Sequence, residues 1–207
     1  MCGEFYIKPK FFIMNTPQQF LQAAETFLSA QDTLAAGFYA ESAFTLHHKD
    51  SGKSTDDSLS KSIDTISERL PKPLAHYTQL LKQAKLRALE TRLHAHAPFS
   101  HFLVGAALIA DDETLHIGCN VECSSYGLTI CAERTALVSA VAHGKKRFLA
   151  IAVAADTDEL TPPCGACRQL LYDFAPDAIV VLVNPHGAEK RFTMKELLPE
   201  AFTAAFL

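Results

Sequence analysis

Cys131 and Glu133 stand two residues apart in TICAERTALVSA (residues 129–140), at the head of an otherwise apolar stretch. Burying a thiol or a carboxylate there without a partner is costly, so the rest of the chain must supply one. TPPCGACRQLLYDF (161–174) does so: Thr161 can cap a helix, Pro162 and Pro163 can open it, and Cys164 and Cys167 fall three apart on one face. Two such thiols can hold one ion. With Cys131 as a third sulfur, a tetrahedral zinc keeps one open corner for water, the pattern of a catalytic rather than a structural site. Helix N-termini favour the thiolate form that the ion requires. Residues two apart diverge on a helix, so Glu133 is expected to reach that water without ligating the metal. A carboxylate beside zinc-activated water accepts its proton and delivers it to a substrate nitrogen, which amounts to hydrolytic removal of an amine. A purely structural zinc site would leave Glu133 unexplained.

The elements that must position these groups are legible from about residue 98. FLVGAALIA and TLHIGCNVE read as strands, 130–143 as a helix, FLAIAVAAD as a strand, 164–174 as a helix, AIVVLVN as a strand, and a last short strand lies near KRFT. That alternation predicts a layered α/β sheet covered by helices, with its apolar strands buried on both faces. Sites in such sheets gather where helices begin beyond strand ends, and both cysteine clusters sit at such places. Upstream, TPQQFLQAAETFLSAQD carries Phe20, Leu21, Ala24, Phe27 and Leu28 at helical spacing behind a Thr cap and a first-turn Pro. SLSKSIDTISERL and PLAHYTQLLKQAKLRALETRL read as two more helices, parted by Pro71 and Pro73. HHKDSGKSTDDSLSKS (47–62) is the most loop-like stretch and is expected to be a linker. The chain is thus expected to divide into a helical extension with linker, 1–62, and a catalytic domain, 63–207. Deleting 1–62 is expected to leave the zinc site assembled.

Composition bounds the rest. At 207 residues and 48% hydrophobic content the chain can close one good core, and a net charge of −4 gives no pull toward nucleic acid or an anionic membrane. FLAIAVAA is too short to span a bilayer, and MCGEFYIKPKFF lacks the order of a signal peptide, so a cytoplasmic location is expected. Six cysteines in such a chain argue for metal or catalytic use ahead of disulfides. None of the nine histidines is assigned to zinc, and GKKRF (144–148) reads as a solvated turn. The start MCG is similar to that of enzymes with an N-terminal cysteine nucleophile, without their context.

CAERTA and PCGACRQ, with PFSHFLVGAAL and CNVECSSYG upstream and ELLPEAF downstream, together resemble the cytidine deaminases, in particular their small homotetrameric three-cysteine class. The resemblance runs over roughly residues 78–204. It implies a three-layer α/β/α fold with a mixed five-stranded sheet, preceded here by a mainly helical extension. It implies that Cys131, Cys164 and Cys167 bind zinc and that Glu133 is the general acid/base. Asn120 and Glu122 match the pair that hydrogen-bonds the ribose 3′-hydroxyl, Phe102 the aromatic near the pyrimidine, and Ala132 the backbone N–H to the base carbonyl. Arg134 matches an arginine that hydrogen-bonds ligand sulfurs. Phe202 matches an aromatic that enters a neighbouring subunit's site, and Tyr126 an inter-subunit contact. The implied reaction is hydrolysis of cytidine and 2′-deoxycytidine to the uridines and ammonia, a step of pyrimidine salvage. Cys123, Gly127 and Thr129 depart from the residues common in the family and bear on fine substrate preference. Two alternatives stay open: another aminopyrimidine nucleoside or antibiotic as substrate, or a non-catalytic zinc-containing binding module.

Overall fold

The computed structural model describes residues 16–50 and 57–207. Four helices come first: α1 (Pro17–Ser29), α2 (Thr33–Asp50), α3 (Asp57–Glu68) and α4 (Leu74–Arg92). Then follow β1 (Val104–Ala110), β2 (Leu115–Cys119), α5 (Ala132–Ala142), β3 (Phe148–Ala155), α6 (Gly165–Phe174), β4 (Ile179–Val183), β5 (Glu189–Thr193) and the single turn α7 (Met194–Leu197). The N-terminal MCG lies outside the described residues.

The five strands form one mixed sheet in the order β2-β1-β3-β4-β5, with β3 and β4 parallel and every other pair antiparallel. Alternation along the strands divides the core between two faces. Ala107, Ile109, Ala152, Ala154, Ile179 and Val181 point to the side of α1–α4, whereas Ala106, Leu108, Ile151, Val153, Val180 and Leu182 point to the side of α5 and α6. This is the three-layer arrangement expected. A register shift opposite Ile109 and Ala110 inserts Leu149 as an extra residue of β3, which lets Leu149 and Ala150 both face the N-terminal helices. The expected two-sided burial holds for β1, β3 and β4, while the edge strands β2 and β5 are partly exposed.

α1 forms as its sequence predicts, with Pro17 in its first turn, the Thr16 N–H donating to the Gln19 side chain at 3.4 Å, and Phe20, Leu21 and Ala24 buried. Two expectations need correction. No helix was anticipated over Thr33–Asp50, because α2 shows no one-sided apolar stripe. It is instead apolar nearly all round and sandwiched, with Ala35, Ala36, Phe38, Tyr39, Ala40 and Ala43 all buried. The expected linker 47–62 is also helical at both ends, belonging to α2 up to Asp50 and to α3 from Asp57, while 51–56 lie outside the described residues. Asp57, Ser58, Lys61 and Ser62 lie on the outer face of α3. Leu59, Ile63 and Ile66 form the inner face of α3, and His47 Nε2 meets Ser60 Oγ at 3.0 Å across the pair. α3 therefore runs through residue 62 without a break.

The N-terminal helices are joined to the sheet by more than apolar packing. Arg191 of β5, 3% exposed, pairs with Glu41 of α2, 2% exposed, and donates to Ser42 Oγ at 2.9 Å. Its Nε also donates to Glu189 at 2.8 Å, and Glu189 accepts from Lys85 of α4 at 2.7 Å. Burial pushes the Glu189 carboxyl up, but the Arg191 and Lys85 charges outweigh it and hold it down at about 2. Among the described residues no helix is long and apolar enough to cross a membrane. In the GKKRF turn, Lys145 pairs with Asp112 and Arg147 with Asp32. Two of its three cations are thereby neutralised within the chain.

Candidate active site

Cys131 and Cys164 occupy equivalent places, each the N-cap residue of a helix, α5 and α6, with extended backbone. Cys167 lies in the first turn of α6 and is buried. The three sulfurs lie within 4.8 Å of one another, with Cys131–Cys164 at 3.9 Å and Cys164–Cys167 at 3.5 Å. Thiolates about 2.3 Å from a tetrahedral zinc would lie about 3.8 Å apart, so the donor set fits that ion. All five cysteines among the described residues are free.

What brings the two helix starts together is close packing against the sheet. A Cβ on Gly118 of β2 would fall 2.3 Å from the Ala136 nitrogen and 2.5 Å from the Ala132 carbonyl oxygen. Only glycine allows α5 to approach β2 so closely. The segment after β2 is then stitched to the residue before Cys131: Val121 and Ile130 exchange backbone hydrogen bonds of 2.9 and 3.0 Å. Arg168, just past Cys167, donates to Pro163 O at 2.7 Å and Leu197 O at 2.9 Å, tying the entry of α6 to α7.

Glu133 is buried one residue into α5 from Ala132 and stands outside the three-sulfur group. Burial pushes its carboxyl up, its own backbone N–H opposes the rise, and the Cys131 sulfur adds to it. Hydrogen bonds from the Cys167 thiol, Arg134 and Cys164 hold Cys131 at about 5 against the effect of burial, and Cys167, the donor in that pair, is pushed up. Arg134 is anchored by a 2.8 Å bond to Thr129 O and reaches the Cys131 sulfur at 3.6 Å, as the resemblance implies. Ala132 opens α5, so its N–H has no acceptor within the helix.

A second group of the expected residues assembles on two loops beside the sulfurs. The Asn120 side chain accepts from Val104 N at 2.8 Å and donates to Phe102 O at 2.9 Å. Glu122 accepts from Phe99 N at 2.9 Å, from Ser100 N at 3.2 Å and from the Ser100 hydroxyl. Phe102 is exposed at the loop surface. Tyr126, 71% exposed, packs its ring 5.3 Å from Phe99, and Phe202, 58% exposed, stacks on Phe206 at 5.7 Å while its carbonyl accepts from Gln169 of α6. Sequence reasoning passed over Ser100 and Arg168. For Ser100 the available signal was a serine two residues ahead of Phe102, the spacing of a side-chain turn; for Arg168 it was only adjacency to the Cys164–Cys167 pair.

Three sulfurs at two helix starts, with a buried carboxylate beside them, define a hydrolytic zinc centre on a three-layer α/β/α sheet. Residues 78–183 match the family described as the cytidine and deoxycytidylate deaminase zinc-binding region, and that span contains all three cysteines. A cytidine deaminase from Halalkalibacterium halodurans is 50% identical over 118 residues, 56% of this chain and 89% of the relative. A crystal structure of cytidine deaminase from Burkholderia pseudomallei superposes with a TM-score of 0.57 at 46% identity, covering 58% of this chain and 98% of that one. A blasticidin-S deaminase from Bacillus cereus is 34% identical over 108 residues, 48% of this chain and 76% of the relative. This chain belongs to the cytidine and deoxycytidylate deaminase family.

Proposed function

We propose that this chain deaminates cytidine and 2′-deoxycytidine to uridine and 2′-deoxyuridine with release of ammonia, as a cytoplasmic enzyme of pyrimidine salvage. The observation that carries the reading is the buried Glu133 carboxylate beside three convergent sulfurs at the starts of α5 and α6. Cys131, Cys164 and Cys167 would hold zinc, which would supply the Lewis acidity that makes water nucleophilic near neutral pH. Glu133 accepts a proton from the attacking water as its oxygen bonds to C4 of the base, and delivers that proton to N3 as the C4–N3 double bond opens. It then carries the remaining proton of the new C4 hydroxyl to the exocyclic amine, so that C4=O forms, the C4–N bond breaks and ammonia leaves. The Ala132 N–H holds the base carbonyl, Phe102 lies against the pyrimidine, and Asn120 and Glu122 receive the sugar 3′-hydroxyl. Arg134 offsets the charge of three thiolates. A phosphate near Glu122 would be repelled, which favours nucleosides over nucleotides.

In this reading residues 63–207 hold the catalytic machinery, and 1–62 supply α1, α2 and the first half of α3 to a covering layer completed by α4. The exposed Tyr126 and Phe202 join neighbouring subunits of a homotetramer with shared sites, and light scattering should give a mass four times 22.6 kDa. The blasticidin-S deaminase relative keeps a modified cytosine antibiotic as the competing substrate class. The decisive measurement is the absorbance change of zinc-loaded protein with cytidine, 2′-deoxycytidine, CMP, cytosine and blasticidin S. Rapid turnover of the two nucleosides supports the assignment; a zinc-replete protein that leaves both untouched rules it out.

A further inference from the structure

The loop from His96 to Val104 is held to the Asn120–Glu122 segment almost entirely by side chains and short backbone bridges. His96 N donates to Asn120 O at 3.0 Å and Glu122 N to His96 O at 2.7 Å, which fixes the two ends in register. Between them the loop turns sharply, with His101 at φ 56° in the left-handed region and its N–H on Ala97 O at 3.0 Å. One hydroxyl sits at the junction. Ser100 Oγ donates to Glu122 Oε1 and accepts from Phe102 N at 3.0 Å.

An ionised carboxylate offers about four lone-pair positions. In Glu122 two on Oε2 are taken by Phe99 N and Ser100 N, and one on Oε1 by the Ser100 hydroxyl. One position on Oε1 is left, and its direction is set by the bond that Ser100 makes to the same oxygen. The other half of the Ser100 hydroxyl fixes the backbone of Phe102.

We propose that Ser100 is a positioning residue for substrate recognition: its single hydroxyl aims the remaining lone pair of Glu122 at a sugar hydroxyl and fixes the Phe102 backbone beside the base. The proposal rests on the nucleoside reading above. Its consequence is coupling, because the sugar contact and the base contact share one support.

The test compares wild type, Ser100→Ala and Ser100→Thr, each zinc-loaded, on cytidine and 2′,3′-dideoxycytidine. In Ser100→Ala, KM for cytidine should rise about tenfold, the scale of one charge-assisted hydrogen bond, with kcat changed much less. The preference of wild type for cytidine over the dideoxy analogue should shrink by a similar factor, since the aimed contact is already lost. Ser100→Thr keeps the hydroxyl and should restore both values. A Ser100→Ala protein that loses activity equally on both substrates, or on neither, overturns the proposal, because general loop damage does not depend on the sugar hydroxyl. Failure of Ser100→Thr to rescue overturns it as well. Wild type that turns over neither nucleoside overturns the nucleoside reading itself, an outcome visible before any variant is compared.

Discussion

The two faces of the sheet solve opposite problems. On the face covered by α1–α4, large apolar side chains such as Phe20, Phe38, Tyr77 and Leu81 fill the space, and the buried Arg191 is paired with Glu41 and Glu189, and Glu189 with Lys85, although the Tyr77 hydroxyl and Arg92 Nε find no partner. On the face of α5 and α6 the apolar layer is thinner, and at its edge the chain keeps Glu133, a carboxyl that burial pushes up and that no guanidinium pairs. The first arrangement stabilises; the second stores the capacity to bind an ion and carry a proton. The difference teaches that burial of a polar group is diagnostic only when its partners are counted. Glu41 and Glu133 are both buried carboxylates; Glu41 has an opposing guanidinium, and Glu133, without one, is the carboxylate proposed to carry protons.

Breaking that contrast at the site should give the largest effect. Glu133→Ala is expected to bind zinc at full stoichiometry and to lose about 10³-fold or more in kcat, read from nucleoside absorbance alongside metal analysis. A mutant that loses zinc as well would mean that Glu133 holds the site together rather than carrying protons. On the opposite face, Arg191→Met leaves Glu41 buried without its partner and should destabilise by about 3–5 kcal/mol in urea unfolding, with kcat per folded, zinc-loaded molecule unchanged. For the same reason deletion of residues 1–62 is expected to abolish the folded zinc protein, reversing the expectation from sequence. The cut would sever α3, strip Glu41 from Arg191 and uncover Ile179, Val181 and Val183. A truncated protein with native zinc content would show the sheet to be self-sufficient.

Gly118→Ala tests the joint between the faces. Its Cβ would meet backbone, which cannot swing aside, so a loss of about 1–3 kcal/mol and a weakened hold on zinc are expected from unfolding and chelator competition. The smallest effect concerns pH. Because Glu189 is held down at about 2 from an ordinary 4.5, its stabilising share is complete above pH 4.5 and is lost as pH falls toward 2. Urea midpoints measured from about pH 5 to about pH 3 should fall less steeply in Glu189→Gln than in wild type. Equal slopes would remove Glu189 from the acid response.

How much could be read in advance follows the range of the interactions. The strand and helix order from residue 98 onward, the cap at Thr16 and the pairing of a thiol motif with Glu133 were legible, because hydrophobic period, caps and ligand spacing are local properties. The helix over Thr33–Asp50 was not, since a segment buried on all sides shows no period to detect. The polar run 47–62 suggested a linker for the complementary reason: over 57–62, serine, lysine and aspartate on a solvent face look the same in a helix as in a loop until Leu59, Ile63 and Ile66 are seen to share a side.

The sequence by itself determined the chemistry: which residues can ligate a soft-to-borderline ion, which carboxylate can move a proton, and that both helix starts favour thiolates. Tertiary structure alone decided where those groups meet and what supports them. Cys131 and Cys164 are brought to 3.9 Å only by a sheet in which β3 and β4 run parallel and α5 closes against Gly118. Glu41 finds Arg191 across 150 residues of chain, and Ser100 finds Glu122 across 22. No local propensity encodes such contacts, because their energy depends on burial and geometry that exist only after the layers have packed.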